Sequence, residues 1–134
     1  MKVSLDTNVL VSAFTTRGIC ADVLSVVLTE HQLVLGETVL DELRRVLREK
    51  MGMPEVSVIE ADTFLRQEAA IVSKGSTVDA PLRDLDDVAV LAQAVEGLAD
   101  VLVTGDRDLL DVADQLPVEV LSPRGFWEKL HGSS

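Results

Sequence analysis

The sequence predicts an α/β fold built on a mostly parallel β-sheet with helices on both faces. Short apolar runs alternate with longer amphipathic stretches, as in repeated strand–helix–strand units. The short runs are apolar nearly throughout, which indicates strands covered on both faces. The predicted strands are 2–6, 32–35, 70–73, 100–104 and 118–121. The predicted helices are 8–15, 20–29, 38–50, 55–68, 84–97, 107–114 and 123–131.

The size and composition suit one globular domain with a substantial core. The chain has 134 residues, 47% of them hydrophobic and 26% charged. We expect a single domain over residues 1–131 and a short C-terminal tail over 132–134. No apolar run reaches the roughly 18–20 residues of a membrane-spanning helix, and the first residues lack a basic signal-peptide region. We therefore expect a cytoplasmic protein without a membrane partner. The single cysteine, Cys20, excludes an internal disulfide and a thiolate metal cluster.

The net charge of −11 limits how this protein could bind nucleic acid. Broad neutralisation of phosphates requires a basic face, and this composition does not favour one. The charge fits a protein with no anionic partner. It also fits a protein whose clustered carboxylates hold divalent cations that meet the phosphate. The charge alone does not choose between them.

Two aspartates lie between a predicted strand and the helix that follows it. Asp6 follows the run Val3–Leu5, and the predicted helix N-caps Thr7 and Asn8 come next. Asp106 follows a second apolar strand and a Thr-Gly turn. Ligand crevices of open α/β sheets form at the carboxyl ends of strands. If the two strands are parallel neighbours, the two carboxylates face each other across one crevice.

The predicted helix 38–50 carries a third candidate acid. Its apolar residues occupy one arc of about 120°, and Glu42 lies about 40° from the edge of that arc. Thr38 is the predicted N-cap, and Asp41 then occupies the capping-box position. Two interpretations of Glu42 stay open: a solvated residue beside the packed face, or a ligand leaning over the edge of the sheet.

The start of the predicted helix 84–97 carries a fourth candidate. Asp84 is the predicted N-cap, and Asp87 is in register with Leu91 and Leu98 on the predicted buried face, whereas Asp86 points outward. Asp87 could simply complete a capping box with Asp84. A carboxylate in line with a core face nevertheless needs a partner, because an unpaired buried charge is costly.

Taken together, the four acids Asp6, Glu42, Asp87 and Asp106 point to metal chemistry. Each has a simple structural explanation, and Asp106 alone would be read as an N-cap after a Gly turn. No histidine or cysteine pair accompanies them, so an oxygen-only site for Mg²⁺ or Mn²⁺ is favoured over zinc. Two such ions would offset the repulsion and could support phosphodiester hydrolysis without a His or Lys base.

The sequence resembles the PIN-domain nucleases, in their toxin-like, VapC-type branch. The resemblance rests on four motifs in the family's order and spacing: LDTNVLVSAF at 5–14, VLDELRRVL at 39–47, RDLDDVAVLAQA at 83–94 and DVLVTGDRDLL at 100–110. It implies a Rossmann-like three-layer sandwich with strand order 3-2-1-4-5. It also implies an Mg²⁺- or Mn²⁺-dependent endoribonuclease with a two-metal mechanism, restrained as a toxin by a separate antitoxin.

The resemblance also assigns residues by position. The metal-binding and catalytic acids would be Asp6, Glu42, Asp87 and Asp106, with Asp108 as an auxiliary ligand. Asn8 and Thr104 would orient these acids or a metal-bound water. The family often has Pro where Leu85 stands, and Ser or Thr before the helix of Glu42, where this chain has a shifted Thr38. Because Asp86 and Asp87 are adjacent, the choice of Asp87 depends on its helix register.

Other interpretations remain open from the sequence. Arg17, Arg83 and Arg107 lie near the predicted crevice and could position phosphates, although surface arginines are common. The apolar residues of helices 20–29 and 55–68 suggest a homodimer. A phosphatase with Asp6 as nucleophile would want a second aspartate where Asn8 stands. A catalytically silent PIN-like module that binds RNA or protein is the main alternative, although it has no use for four repelling carboxylates.

Overall fold

A computed structural model describes residues 1–75 and 78–132 of the chain. The described strands are β1 (Lys2–Leu5), β2 (Gln32–Gly36), β3 (Ala70–Val72), β4 (Val101–Val103) and β5 (Glu119–Leu121). The described helices are α1 (Thr7–Thr15), α2 (Ile19–Glu30), α3 (Glu37–Glu49), α4 (Glu55–Glu68), α5 (Leu85–Glu96), α6 (Arg107–Leu110) and α7 (Pro123–Leu130). A short 3₁₀ helix, Ala113–Gln115, precedes β5.

The five strands form one parallel sheet in the order β3-β2-β1-β4-β5, as expected for the predicted fold. β1 therefore lies at the centre, between β2 and β4. Leu5 pairs with Val103 in the register of β1 and β4. The residues that follow these two strands, Asp6 and Thr104, consequently leave the same edge of the sheet side by side.

Helices cover both faces of the central strands. Successive side chains of a strand point to opposite faces. Val3, Ser4 and Leu5 in β1 are nevertheless all at most 3% exposed, and Val101 to Val103 in β4 at most 1%. This burial confirms the three-layer arrangement predicted from the apolar runs.

Several predicted helix boundaries differ from the structure, and two of the differences lie near the site. The predicted helix 107–114 ends at Leu110 and is followed by the 3₁₀ turn. Continued to residue 114, it would have carried Asp111 and Asp114 in its last turn, where the helix dipole disfavours negative charge. α1 begins at Thr7, and its N-cap is Asp6, in place of the predicted Thr7 or Asn8. Asp6 therefore combines a capping role with its position at the strand end.

The predicted N-cap of α3 is also wrong. The helix starts after Gly36, which offers no capping side chain, so Thr38 is the second helical residue. The Thr38 N–H is bonded instead by the Gln93 side chain of α5. Asp41 consequently lies too far along the helix for a capping box and pairs with Arg44. The predicted apolar face of α3 is confirmed, because Val39, Leu40, Leu43 and Leu47 are buried.

Leu98 does not lie on a buried face. The structure leaves it 70% exposed, with a φ of 60°. α5 ends at Glu96, with Gly97 as its C-cap, and the chain turns through Leu98 toward β4. The left-handed backbone at Leu98 moves it off the row that starts at Asp87.

No single described helix is long and apolar enough to cross a membrane, although the pair α1 and α2, bent by 103°, passes on combined length and composition. Residues 76 and 77, and residues 133 and 134 of the predicted tail, lie outside the described residues.

Candidate active site

The site begins with Asp6, which the structure buries at the carboxyl end of β1. The Asp6 side chain is 7% exposed. Its Oδ1 accepts the Thr7 N–H at 2.7 Å, and its Oδ2 accepts the Thr104 hydroxyl at 2.7 Å. Burial raises the pKa of Asp6, and the nearby Asp106 adds to the rise, while the two hydrogen bonds oppose it. The carboxylate is therefore fixed in orientation and short of neutralising charge.

Thr104 links Asp6 to the second strand-end aspartate. Its hydroxyl donates to Asp6 and accepts the Asp106 N–H at 3.0 Å. Thr104 is fully buried, so its hydroxyl has a defined position. Asp106 itself caps α6, accepting the Asp108 N–H on its Oδ1 at 2.9 Å. The predicted N-cap role of Asp106 is confirmed, and it coexists with a place in the acidic cluster.

Asn8 supports the same turn from the first turn of α1. Its Oδ1 accepts the Gly105 N–H at 3.3 Å, which ties the first turn of α1 to the β4–α6 connection. Because Asp6 caps α1, the Asn8 side chain is free to make this bond. Asn8 is exposed and thus also open to a ligand in the crevice.

Asp87 joins the cluster from α5. One carboxylate oxygen from each of Asp87, Asp106 and Asp108 lies within 4.8 Å of the others. Asp87 and Asp106 are close enough to disfavour two negative charges side by side. Burial and the charge of Asp106, with smaller effects of Asp84 and Asp6, raise the pKa of Asp87 to about 7. Three separate parts of the chain, the end of β1, the start of α5 and the β4–α6 connection, therefore concentrate negative charge at one place.

The adjacent acids Asp86 and Asp87 point to different neighbours. Asp84 caps α5 as predicted, through the Asp86 N–H at 2.8 Å. Asp87 faces Asp106 and Asp6, whereas Asp86 is exposed and lines a groove with Glu42 and Thr38. The half-buried position of Asp87 agrees with its predicted helix register.

Glu42 lies on the same side of the sheet but at the margin of the cluster. It is half-buried and lines a groove of about 320 Å³ with Arg45 and Asp86. Burial raises the pKa of Glu42, the charges of Asp6 and Asp86 add to the rise, and Arg45 opposes it. The charge of Asp6 acts on the Glu42 carboxyl, so the two groups are electrostatically coupled. Glu42 does not belong to the tight group of Asp87, Asp106 and Asp108.

The predicted phosphate-positioning arginines differ in their surroundings. Arg107 is 82% exposed and pairs with Asp111 at 3.3 Å. Arg83 lines a groove of about 340 Å³ together with Asp108 and Asp111. Both arginines therefore flank the side of the cluster that carries Asp108.

The donor set fits a hard divalent cation. The clustered side chains offer carboxylate oxygens, and the pKa of Asp87, raised by burial and by the charge of Asp106, indicates a site where a cation would be favourable. No imidazole contributes: His31 lies at the opposite edge of the sheet beside Met1, and His131 stacks on Trp127. This oxygen-only chemistry suits Mg²⁺ or Mn²⁺ better than zinc.

Two residues that sequence reasoning did not single out contribute to this region. Arg45 is a cation in the groove beside Glu42. Gln93 is 8% exposed and bonds the start of α3. The signal for Gln93 was available, because it is the one polar residue in the otherwise apolar run Val88–Val95.

The sequence matches the profile of a family described as the PIN domain over residues 2–108. No curated protein matches it significantly. The fold resembles a chain of VapBC2 from Rickettsia felis, solved bound to a DNA fragment from its promoter, with a TM-score of 0.61 and 18% identity over 91% of this chain and 98% of that chain.

Two further solved structures have the same fold. A chain of VapBC-1 from nontypeable Haemophilus influenzae gives a TM-score of 0.62 and 17% identity, covering 92% of this chain and 99% of that one. A chain of FitAcB from Neisseria gonorrhoeae gives 0.54 and 18%, covering 91% and 98%. At these identities the similarity establishes the fold alone.

Proposed function

The chain belongs to the PIN-domain family, and on that premise we propose that it is an Mg²⁺- or Mn²⁺-dependent endoribonuclease. The observation that carries the proposal is the convergence of Asp87, Asp106 and Asp108 to within 4.8 Å, with the buried Asp6 held against them through Thr104. Carboxylates so close together repel one another. A cation bound at a catalytic site would neutralise that repulsion.

We propose Asp6, Glu42, Asp87 and Asp106 as the metal-binding and catalytic acids, with Asp108 as an auxiliary ligand. Two divalent ions bound there would supply charge neutralisation, attraction for a phosphodiester and Lewis-acid assistance to hydrolysis. The half-buried Glu42, at the margin of the cluster, would serve the side of the site that faces α3. Asp108, exposed beside Asp106, would serve the opposite side.

The protein's own part in this mechanism is to hold the acids in place before substrate arrives. Thr104 fixes the Asp6 carboxylate and the Asp106 backbone with one hydroxyl. Asn8 fixes the Gly105 turn between them. Because the pKa of Asp87 is raised to about 7, protons compete with a cation for this carboxylate, and cation binding should strengthen as the pH rises.

Substrate binding would use few phosphate contacts. Arg83 and Arg107 flank the cluster and would position phosphates, while the net charge of −11 opposes a long nucleic-acid footprint. We therefore propose a small, shaped RNA feature as substrate. Cleavage should show a shallow dependence on salt, equivalent to only a few phosphates. A steep dependence would contradict this part of the proposal.

We also propose that the enzyme is the toxin of a toxin–antitoxin pair. This proposal is supported by the toxin-like resemblance of its motifs and by the VapBC assemblies that share its fold. A protein encoded beside it should co-purify with it and suppress cleavage. Failure of the neighbouring gene product to bind would contradict the toxin assignment without affecting the nuclease assignment.

The homodimer expected from the sequence would use α4 as its interface in preference to α2. The apolar residues Val23, Leu24 and Val27 of α2 pack into the core, whereas Val56 and Ile59 of α4 are 67% and 53% exposed. Light scattering should show a dimer that Ile59→Lys converts to a monomer. A wild type that stays monomeric at high concentration would contradict the dimer.

The deciding experiment is cleavage of a pool of single-stranded and structured RNA with Mg²⁺, with Mn²⁺ and with EDTA. Cleavage should require metal and fall at least a hundredfold in Asp6→Asn and in Asp87→Asn. Asp114→Asn, on the exposed 3₁₀ turn away from the cluster, is the matched control and should retain full activity. Asp86→Asn should retain most activity, because Asp86 faces the groove beside Glu42.

Three outcomes would redirect the assignment. Loss of activity in Asp86→Asn but not in Asp87→Asn would exchange their roles. Cleavage that persists in EDTA would exclude the metal mechanism. RNA binding without cleavage in either metal, and without thermal stabilisation by Mn²⁺, would favour a catalytically silent RNA- or protein-binding module.

A further inference from the structure

Gln93 makes a two-point contact between the helices that carry Asp87 and Glu42. Its Oε1 accepts the Thr38 N–H at 3.1 Å, and its Nε2 donates to the Thr38 hydroxyl at 2.9 Å. Gln93 belongs to α5 and is 8% exposed, and Thr38 lies in the first turn of α3. Both polar ends of the amide are thus used in one partly buried contact across 55 residues of sequence.

This contact replaces a helix cap that α3 lacks. Gly36 is the N-cap and offers no side chain to the free N–H groups of the first turn. An N-cap side chain normally accepts the N–H of the second or third helical residue. Thr38 is that second residue, and Gln93 accepts its N–H from another helix. The start of α3 therefore takes its side-chain cap from α5 and not from its own N-cap residue.

The Gln93–Thr38 contact leaves no room for a side chain at position 36. A Cβ built on Gly36 would lie 1.7 Å from Gln93 Oε1 and 2.6 Å from Gln93 Cβ. Any larger residue at position 36 would displace the Gln93 amide from Thr38. The contact therefore needs both a glycine at position 36 and the long amide side chain of Gln93.

The contact lies one helical turn from the acidic site. Four residues after Thr38, about 6 Å along α3, Glu42 shares a groove with Asp86 at the start of α5. Asp87 follows Asp86 and faces Asp106. The position of α3 relative to α5 thus affects how far Glu42 stands from Asp6 and Asp87, and the Gln93–Thr38 contact ties the two helices together at the start of α3.

We propose that Gln93 is a positioning residue that sets Glu42 against the other acids and thereby tunes the affinity of the site for divalent cations. The inference rests on the proposed metal-binding role of Glu42. Gln93 touches neither substrate nor cation in this scheme and acts through the placement of α3. Residues that orient ligands from outside the coordination sphere commonly change metal affinity about 10–100-fold when replaced.

The test compares Gln93→Met with Gln93→Glu. Methionine keeps the unbranched shape but removes both hydrogen bonds. Glutamate keeps an acceptor for the Thr38 N–H, can accept the Thr38 hydroxyl, and is favoured at a helix N-terminus. Ser122→Ala is the matched control, because it deletes a helix cap, the bond from the Gly125 N–H to Ser122 Oγ at 3.0 Å, on α7.

Two readouts separate positioning from stability. In the metal-free protein, amide exchange at Thr38 should accelerate at least tenfold in Gln93→Met and stay near wild type in Gln93→Glu. By calorimetry, Gln93→Met should weaken Mn²⁺ binding about tenfold, Gln93→Glu should restore it to within threefold of wild type, and Ser122→Ala should change it less than twofold.

A double-mutant cycle tests the route through Glu42. In a Glu42→Gln background, Gln93→Met should weaken Mn²⁺ binding less than twofold further, because the group that it positions is already lost. The same tenfold loss in both backgrounds would overturn the assignment of Glu42 as the positioned group. Unchanged Mn²⁺ affinity in Gln93→Met, with fast exchange at Thr38, would reduce Gln93 to a structural cap.

Failure of the underlying function has a different signature. A wild type without measurable Mn²⁺ affinity would overturn the metal proposal itself and, with it, the tuning role of Gln93. A wild type that binds Mn²⁺ while Gln93→Met binds equally well overturns the positioning inference alone.

Discussion

The Thr104 hydroxyl donates to the Asp6 carboxylate at 2.7 Å across 98 residues of sequence. The same oxygen accepts the Asp106 N–H at 3.0 Å. One buried hydroxyl thus orients two strand-end acids. This arrangement depends on β1 and β4 being parallel neighbours, with Leu5 opposite Val103. It explains how a mostly buried carboxylate is retained at the carboxyl end of the central strand.

Replacing Thr104 and Thr7 by valine should have opposite effects on stability. Thr104→Val removes a donor from Asp6 and an acceptor from Asp106, and should lower the free energy of unfolding by about 2 kcal/mol. The Thr7 hydroxyl is buried without a hydrogen-bond partner among the described residues. Thr7→Val removes an unsatisfied group and should be neutral or stabilising by up to about 1 kcal/mol. Urea unfolding of both variants measures this, and equal losses would contradict it.

The metal-free protein should lose stability as the pH rises from 5 to 8. The pKa values of Asp6, Glu42 and Asp87 are all raised in the folded state, that of Asp87 from 3.8 to about 7. The folded state therefore binds more protons than the unfolded state between these values, and its stability falls as those protons leave. The loss should be on the order of 2 kcal/mol, measured by urea unfolding in EDTA.

Two features make that pH window diagnostic. The pKa of Glu37 is lowered by its hydrogen bonds with Arg66, so its contribution to stability is present above its unfolded pKa of 4.5 and is lost below it. It therefore does not affect the window from pH 5 to 8. Saturating Mn²⁺ should remove the slope, because the cation replaces the protons. A stability that rises between pH 5 and 8 in EDTA would contradict the repulsion inferred at the acidic cluster.

Asp87→Asn should stabilise the metal-free protein while abolishing its response to metal. The asparagine amide can donate to Asp106 without carrying charge, so repulsion at the cluster falls. At pH 8 in EDTA, the free energy of unfolding should rise by about 1 kcal/mol. The increase in melting temperature that Mn²⁺ causes in the wild type should disappear. Asp114→Asn should match wild type in both measurements, and a destabilised Asp87→Asn would show that Asp87 serves packing and not charge.

Leu98→Asn should stabilise the protein by about 0.5–1 kcal/mol. Leu98 is 70% exposed and has a φ of 60°, so its side chain packs little and its backbone is strained. Asparagine tolerates this left-handed conformation better than leucine. Leu85→Asn is the matched control, since Leu85 is 82% exposed but lies in the first turn of α5. Equal effects in chemical denaturation would show that the backbone at Leu98 carries no strain.

The candidate acids were predictable because each lies at a strand end or early in a helix. Asp6 and Asp106 follow apolar strands, and Asp87 is in register with the buried Leu91. The prediction for Asp87 used local helix periodicity, and α5 does place Asp87 on the same side as the buried Leu91. The predicted cap at Thr38 was wrong because the group that bonds its N–H comes from Gln93, 55 residues away. Local capping rules contain no information about such a partner.

The sequence by itself determined the sheet class, the strand ends and the set of acids, because apolar periodicity and strand-to-helix punctuation are local properties of the chain. The tertiary structure decided which acids lie in one cluster. It placed Asp87 against Asp106 and Asp108, turned Asp86 toward Glu42, and left Glu42 at the margin. Those distances depend on the packing of α3 and α5 against the sheet, and through-space contacts between distant elements are set only when the whole core closes.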